Sequence, residues 1–184
     1  MTPGRDDAMA GDLAAMRRYA RALARDAQEA DDVVQDALVR AMERHETFRQ
    51  QGGHDGQGPH NRRRWLLAIV HNVFISGLRR AAAEARRNER FADTLMAHVD
   101  PEQEQHARLA QVARAFSALS EHHRAVLHLI AIEGLSYQEA ADVLDVPIGT
   151  VMSRLARARA ALKDENVAKG PPLRLRVVGE DDDV

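Results

Sequence analysis

The chain has no cysteine. Disulfides and thiolate metal sites are therefore excluded, which fits a reducing compartment. Aromatic residues make up only 4% of it, with a single tryptophan, and so few rings argue against a sheet-rich fold. No apolar run approaches the 18 residues of a membrane span, and no signal-peptide pattern opens the chain, so cytoplasmic location without membrane insertion is expected. There is no phosphate-binding glycine loop, nucleophile elbow or strand–helix alternation. No catalytic residue, cofactor-binding residue or cofactor is assigned, and an enzyme is not expected. H-E-x-x-H is also missing. Of the nine histidines, His122 and His128 do not share a helical face. His54 and His60 flank a glycine loop with Asp55. No metal site is expected from them.

What is present is helical material. The 184 residues suffice for one large or two small domains, and 45% hydrophobic with 29% charged residues is ordinary for a globular protein. Alanine, leucine and arginine abound, which favours helices. Net charge is only −2, but it is segregated. Arg62, Arg63, Arg64, Arg79, Arg80, Arg86, Arg87 and Arg90 crowd one stretch, whereas Asp26, Glu29, Asp31, Asp32 and Asp36 crowd another. The chain ends on Glu180, Asp181, Asp182 and Asp183 before Val184. Local patches of this kind mark a nucleic-acid surface that the net charge conceals.

The most telling stretch is GLSYQEAADVLDVPIGTVMSRLARARAAL, residues 134–162. Gly134 suits a left-handed helix end. Ser136 and Glu139 have capping-box spacing. Ala140 and Ala141 are small where two helices must cross, and Val143 and Leu144 give an apolar face. Asp145 falls at the turn and tolerates positive φ. Pro147 suits a first helical turn. Val151 and Leu155 face the core, leaving Thr150, Ser153, Arg154 and Arg157 for the outside. This is the pattern of a helix-turn-helix with an arginine-bearing helix for the DNA major groove.

Upstream, three- and four-residue periodicity predicts a helix over Asp12–Arg25 after a frayed start, with Leu13, Met16, Tyr19, Ala20 and Leu23 inward. A second covers Ala30–Phe48, with Val33, Val34, Ala37, Leu38, Ala41 and Met42 on one side. Gln50–Pro59 is a loop by composition. A third helix covers Arg62–Arg90, with Trp65, Leu66, Ile69, Val70, Val73, Phe74 and Leu78 as its stripe. Further helices are expected at 103–118, 121–133, 136–144 and 148–163. The expected fold is all-α, two small helical domains joined by a flexible linker, the C-terminal one a helix-turn-helix. The domains span 10–90 and 107–164. The linker, 91–106, would reach roughly 50–55 Å if extended, and 165–184 is a flexible tail.

With these residues in this order, the chain resembles the bacterial sigma factors of RNA polymerase, specifically the small extracytoplasmic-function (ECF) group, over about residues 10–164. EADDVVQDALVRAMERHETF is similar to the family's polymerase-binding helix, RRWLLAIVHNVFISGLRR to its promoter −10 helix, and residues 118–162 to its −35-binding domain. The resemblance implies that Asp31, Asp32, Val34, Gln35 and Asp36 dock on core RNA polymerase. It implies that Arg62, Arg63, Asn72, Arg79 and Arg80 contact −10 DNA, beside a pocket for a flipped base helped by the loop Arg49–Asn61. On the −35 element it assigns base reading to Ser153, Arg157 and Arg159, backbone approach to Pro147 and Thr150, and phosphate to Arg154. Trp65 is expected to pack rather than stack on a base, and His71 to be packed or solvated. Ser76 and Met152 depart from the aspartate and the basic residue that many relatives carry there. The implied partners are core RNA polymerase, promoter DNA and an anti-sigma factor. Two other readings are a sigma-like decoy that binds an anti-sigma protein without DNA, and a stand-alone helix-turn-helix repressor. Transcription with core polymerase in vitro separates all three.

Overall fold

The computed structural model describes residues 3–24, 26–48, 58–87 and 112–167, and every regular element among them is an α-helix. The chain divides into two compact units, Met1–Ala97 and His98–Val184. The boundary falls within the expected linker 91–106, which lies outside the described residues, as does the expected tail from residue 168 onward.

The first unit is built from α1 (Pro3–Leu23), α2 (Ala27–Phe48) and α3 (Gly58–Arg87), each in contact with the other two. Helix α1 starts well before the expected Asp12, at a proline whose fixed φ and missing N–H suit a first helical residue. Helix α2 starts ahead of the expected Ala30 because Asp26 caps it: the Glu29 N–H donates to Asp26 Oδ1 at 2.8 Å. Helix α3 starts ahead of the expected Arg62 and takes in residues 58–61, of which 58 and 59 belong to the stretch that composition assigned to a loop, again with a proline in its first turn. Its described end is Arg87 rather than Arg90.

Met16, Tyr19, Ala20 and Leu23 of α1 meet Val33, Val34, Ala37 and Ala41 of α2 and Ile69, Val70, Val73 and Phe74 of α3 in one core. Each large apolar side chain fully buried there contributes about 1.5–3 kcal/mol. Two details differ from the periodicity. Leu67, absent from the predicted stripe, is completely buried, whereas Trp65, Leu66 and Leu78 are half-buried. Leu38 and Met42, expected inward, are exposed, Met42 at 79%. The buried arc of α2 is centred on Ala30, Val33 and Ala37, which turns Leu38 and Met42 past its edge. Trp65 stacks on Phe48 with ring centroids 4.4 Å apart, the packing role expected of it.

Within Arg62–Arg86, α3 has the length of a membrane-crossing helix and one 18-residue window whose mean hydropathy, 1.2, suits one, a property that a search for uninterrupted apolar runs misses. Its Leu67, Val70, Val73 and Phe74 are instead buried in this bundle.

Two buried polar contacts tie α1 to α3. The Tyr19 hydroxyl meets His71 Nδ1 at 3.1 Å, and burial pushes the phenol's pKa far up, so it keeps its proton. Asp12, 3% exposed, accepts from Arg62 Nε at 2.6 Å and from Arg63 Nε at 3.3 Å. Two guanidinium groups thus compensate one buried carboxylate, without which its desolvation would be prohibitive.

The second unit contains α4 (described over 112–118), α5 (Glu121–Ala131), α6 (Tyr137–Leu144) and α7 (Ile148–Val167). Helices α5, α6 and α7 contact one another. Val126, Leu129, Val143 and Val151 are almost wholly buried between them, and Ala140 and Ala141 allow the close approach that their size suggested. Gly134 is left-handed at φ +69°, as expected, and lets the Leu135 N–H reach back to the Leu129 carbonyl at 3.0 Å. Ser136 and Glu139 form the predicted capping box, with Glu139 N–H to Ser136 Oγ at 3.2 Å and Ser136 N–H to Glu139 Oε2 at 2.9 Å. Asp145 takes the left-handed conformation at φ 51°, and the Val146 N–H then closes on the Ala141 carbonyl at 3.1 Å. Pro147 stands one residue ahead of α7, its carbonyl accepting from the Thr150 and Val151 N–H groups. Helix α7 continues to Val167, past the expected 163. His128, 6% exposed, faces Glu133 across 3.4 Å.

Two positions test these contacts in the full chain. Asp12→Ala should destabilise the first unit by about 2 kcal/mol in urea unfolding. This is below the 3–5 kcal/mol typical of a broken buried pair, because both arginines are about a third exposed and water can rehydrate them. Ser136→Ala should cost about 1 kcal/mol in the same measurement by removing one cap, whereas Ser136→Thr, which keeps both the acceptor for the Glu139 N–H and the hydroxyl that donates to Glu139 Oε2, should unfold close to wild type.

Candidate nucleic-acid interface

Helix α7 buries Val151, Leu155, Ala158 and Leu162 against α5 and α6. That stripe fixes the rotation of the helix, because each residue advances it by about 100°. Opposite it, Ser153 and Arg157 are exposed, as is Pro147 at the entrance to the helix, and Arg159 is exposed nearer the edge of the stripe. Thr150 and Arg154, left for the outside by the sequence pattern, sit half-buried at one edge. The Ser153 hydroxyl donates to the Thr150 carbonyl at 3.0 Å, so outward it offers lone pairs. Near Arg157 and Arg154, His123 at the start of α5 is held below the ordinary histidine range, by burial first and then by the two guanidinium charges. It extends the polar face from α7 onto α5. Sequence reasoning missed this, because His123 approaches the arginines only when α5 packs on α7. The face is cationic and carries donors that can match guanine O6 and N7 or phosphate oxygens.

The basic residues predicted on α3 do not gather on one face. Asn72 and Arg79 are exposed one heptad apart, on the stripe that also carries Trp65. Arg62 and Arg63 are held by Asp12, and Arg62 Nη2 is buried with no hydrogen-bond partner among the described residues. Arg80 lines a groove between α2 and α3, across from Glu29, Asp32 and Asp36 and over a floor of Val33 and Phe74. His71 is packed against Tyr19, and Ser76 is half-buried. Of the loop Arg49–Asn61, residues 49–57 lie outside the described residues and 58–61 belong to α3.

On α2, Asp31, Asp32, Gln35 and Asp36 are exposed together, but Val34 is 5% exposed and faces the bundle. The apolar groups that a partner could meet are instead Leu38, Val39 and Met42, at 37%, 56% and 79% exposure. Asp32, Gln35, Val39 and Met42 follow a 3-4-3 spacing that aligns them on one face. The sequence held this signal, since an acidic start followed by apolar residues at helical spacing is visible there. Its apolar set was misread because Leu38 and Met42 border the buried stripe.

No group of three or more metal-ligating side chains converges among the described residues, and His54 and His60 lie outside those whose side chains are described.

Two family models match the chain: "Sigma2 domain of PhyR" over residues 9–71 and "Sigma-70, region 4" over residues 109–162. ECF RNA polymerase sigma factor EcfG of Rhodopseudomonas palustris is 33% identical over 86% of this chain and 82% of its own. ECF RNA polymerase sigma factor SigL of Mycobacterium tuberculosis is 33% identical over 82% of this chain and 81% of its own. Among solved structures, the sigma factor RpoE from Bartonella quintana, in complex with the anti-sigma factor NepR, superposes with a TM-score of 0.69. It shares 28% identity and the match covers 89% of this chain and 97% of that one. CnrH, in complex with the cytosolic domain of CnrY, gives 0.54 at 29% identity, over 91% and 88% of the two chains. With its two helical units, a capped helix-turn-helix and relatives of this identity and coverage, the chain belongs to the ECF family of RNA polymerase sigma factors.

Proposed function

We propose that this sigma factor docks on core RNA polymerase through the outward face of α2 and directs initiation by reading two promoter elements, one with each unit. The observation that carries this is the exposed cationic face of α7, held outward by the buried Val151–Leu162 stripe. Arg157 and Arg159 read guanine edges of the −35 element, Ser153 accepts from a base amino group, and Pro147, Thr150 and Arg154 lie along the backbone. On α3, Asn72 and Arg79 lead the contact with the −10 strand. Arg62 and Arg63 offer the donors that Asp12 leaves over, and Arg80 serves from the rim of the α2–α3 groove. A base flipped out beside this helix costs a few kcal/mol, offset by contacts in its pocket.

Asp31, Asp32, Gln35 and Asp36 steer a basic partner helix, and Leu38, Val39 and Met42 supply the apolar contact that Val34 cannot. Residues 10–90 and 107–164 act as the two functional domains, with 91–106 linking them. An anti-sigma protein holds the factor inactive by covering the polymerase- and DNA-binding faces, a reading supported by the RpoE relative solved with NepR. The chain works in the cytoplasm alongside the polymerase, which supplies the chemistry of RNA synthesis, and itself contributes recognition and strand separation.

Transcription in vitro with purified core polymerase tests this. The full chain should confer promoter-specific initiation, and binding to core without initiation would overturn the reading. Arg157→Ala should lower initiation at cognate promoters by about tenfold through loss of one forked base contact. Unchanged transcript levels would remove Arg157 from the −35 contact. Asp32→Ala combined with Gln35→Ala should weaken core binding several-fold in a fluorescence titration, with a shallower salt dependence and an unaltered melting temperature, since both side chains are exposed.

A further inference from the structure

Helix α7 carries an apolar feature that the polar reading of its outer face leaves unused. Met152 is 51% exposed and Ile148, one turn earlier, is 42% exposed. Single exposed apolar residues are common on protein surfaces and mean little. These two, however, share a stripe with Arg159 and directly adjoin the stripe of Ser153. Gly149 beside them has nothing within 4 Å of the place a Cβ would occupy, so the first turn is open on this side. The outer face is therefore composite: an apolar knob, a hydroxyl presenting lone pairs, and the Arg157 and Arg159 forks.

The occupant follows from chemistry. Neither Met nor Ile can donate to a phosphate or to guanine. In the major groove the apolar group on a base edge is the 5-methyl of thymine. The flanking guanidinium groups complement DNA and would be poorly matched to an apolar protein surface.

We propose that Met152, backed by Ile148, reads a thymine of the −35 element by packing on its 5-methyl group. This rests on the reading of α7 as the helix that enters the major groove. Position 152 is then not a lost contact but a changed one: a basic side chain there would add affinity, whereas methionine adds base preference.

Holoenzyme assembled from core polymerase and the full chain would be run on promoter libraries randomised across the −35 element. One library carries thymine and the other carries uracil in that element only. Uracil keeps every hydrogen-bonding group of thymine and lacks the methyl. Wild type should prefer thymine over uracil about fourfold at one position, the ratio that burying one carbon group gives. Met152→Ala should abolish that preference while leaving the others intact. Met152→Lys should also abolish it, and its binding should fall more steeply with salt. Both variants sit at an exposed position, and unchanged melting temperatures would show that they fold. If no position distinguishes thymine from uracil in wild type, or if Met152→Ala keeps the preference, the proposal is overturned. A protein partner on this stripe would give the first of those results. Arg157→Ala on the thymine library separates the two failures. If it lowers initiation while thymine and uracil stay equivalent, only the Met152 assignment falls; if it has no effect either, the major-groove placement of α7 falls with it.

Discussion

Burial of one stripe of α7 governs what the second unit can present. Val151, Leu155, Ala158 and Leu162 are held against α5 and α6, and each advance of one residue turns a helix by about 100°. Rotating α7 by a single residue would bury Met152 or Arg154 and expose a valine or leucine. The apolar contact thus does more than stabilise the unit. It sets the angular positions of Ser153, Arg157 and Arg159, and leaves Met152 and Ile148 together at the margin. The capping box of α6 and the left-handed Asp145 serve the same end by setting where α7 begins.

The first unit is organised around a different constraint. Asp12 is buried and must be compensated, and the compensation comes from two arginines that composition alone counts as part of a basic surface. Their charge is partly neutralised, and their geometry is fixed by α1. Arg80 lines the same α2–α3 groove as the acids Glu29, Asp32 and Asp36. The basic stretch 62–90 is therefore less uniform as a surface than as a sequence, and Asn72 with Arg79 stands out as its freely presented pair. Helix α2 shows the reciprocal effect. Its acidic residues are outward as the sequence suggests, but the apolar partner surface lies a turn further along, at Leu38, Val39 and Met42.

Much of this was legible beforehand for identifiable reasons. The helix-turn-helix could be read in detail because each of its signals is local: a capping box within four residues, a glycine and an aspartate at positive φ, two alanines at a crossing. That Trp65 packs within the protein followed from helical spacing, though its stacking partner Phe48 on α2 did not. Helix starts were read less well. Pro3 and Asp26 act within one turn of a helix start, but Pro3 sits in a stretch read as a frayed start and Asp26 in a run read as an acidic patch. The site assignments divide in the same way. Exposure of Ser153, Arg157 and Arg159 follows from periodicity in one helix, whereas the engagement of Arg62 and Arg63 depends on a residue about fifty positions away.

By itself, then, the sequence determined the all-helical class, the turn chemistry of residues 134–150 and the family, because these depend on local propensity, spacing and motif order. Only the tertiary structure decided which charged and apolar groups are available to a partner. It tied Arg62 and Arg63 to Asp12, turned Val34 inward and Met42 outward, brought His123 up to Arg154 and Arg157, and left Met152 beside Ile148 in the open. The physical reason is that availability is set by what a side chain packs against, and that neighbour comes from another helix whose rotation no single stretch of sequence specifies.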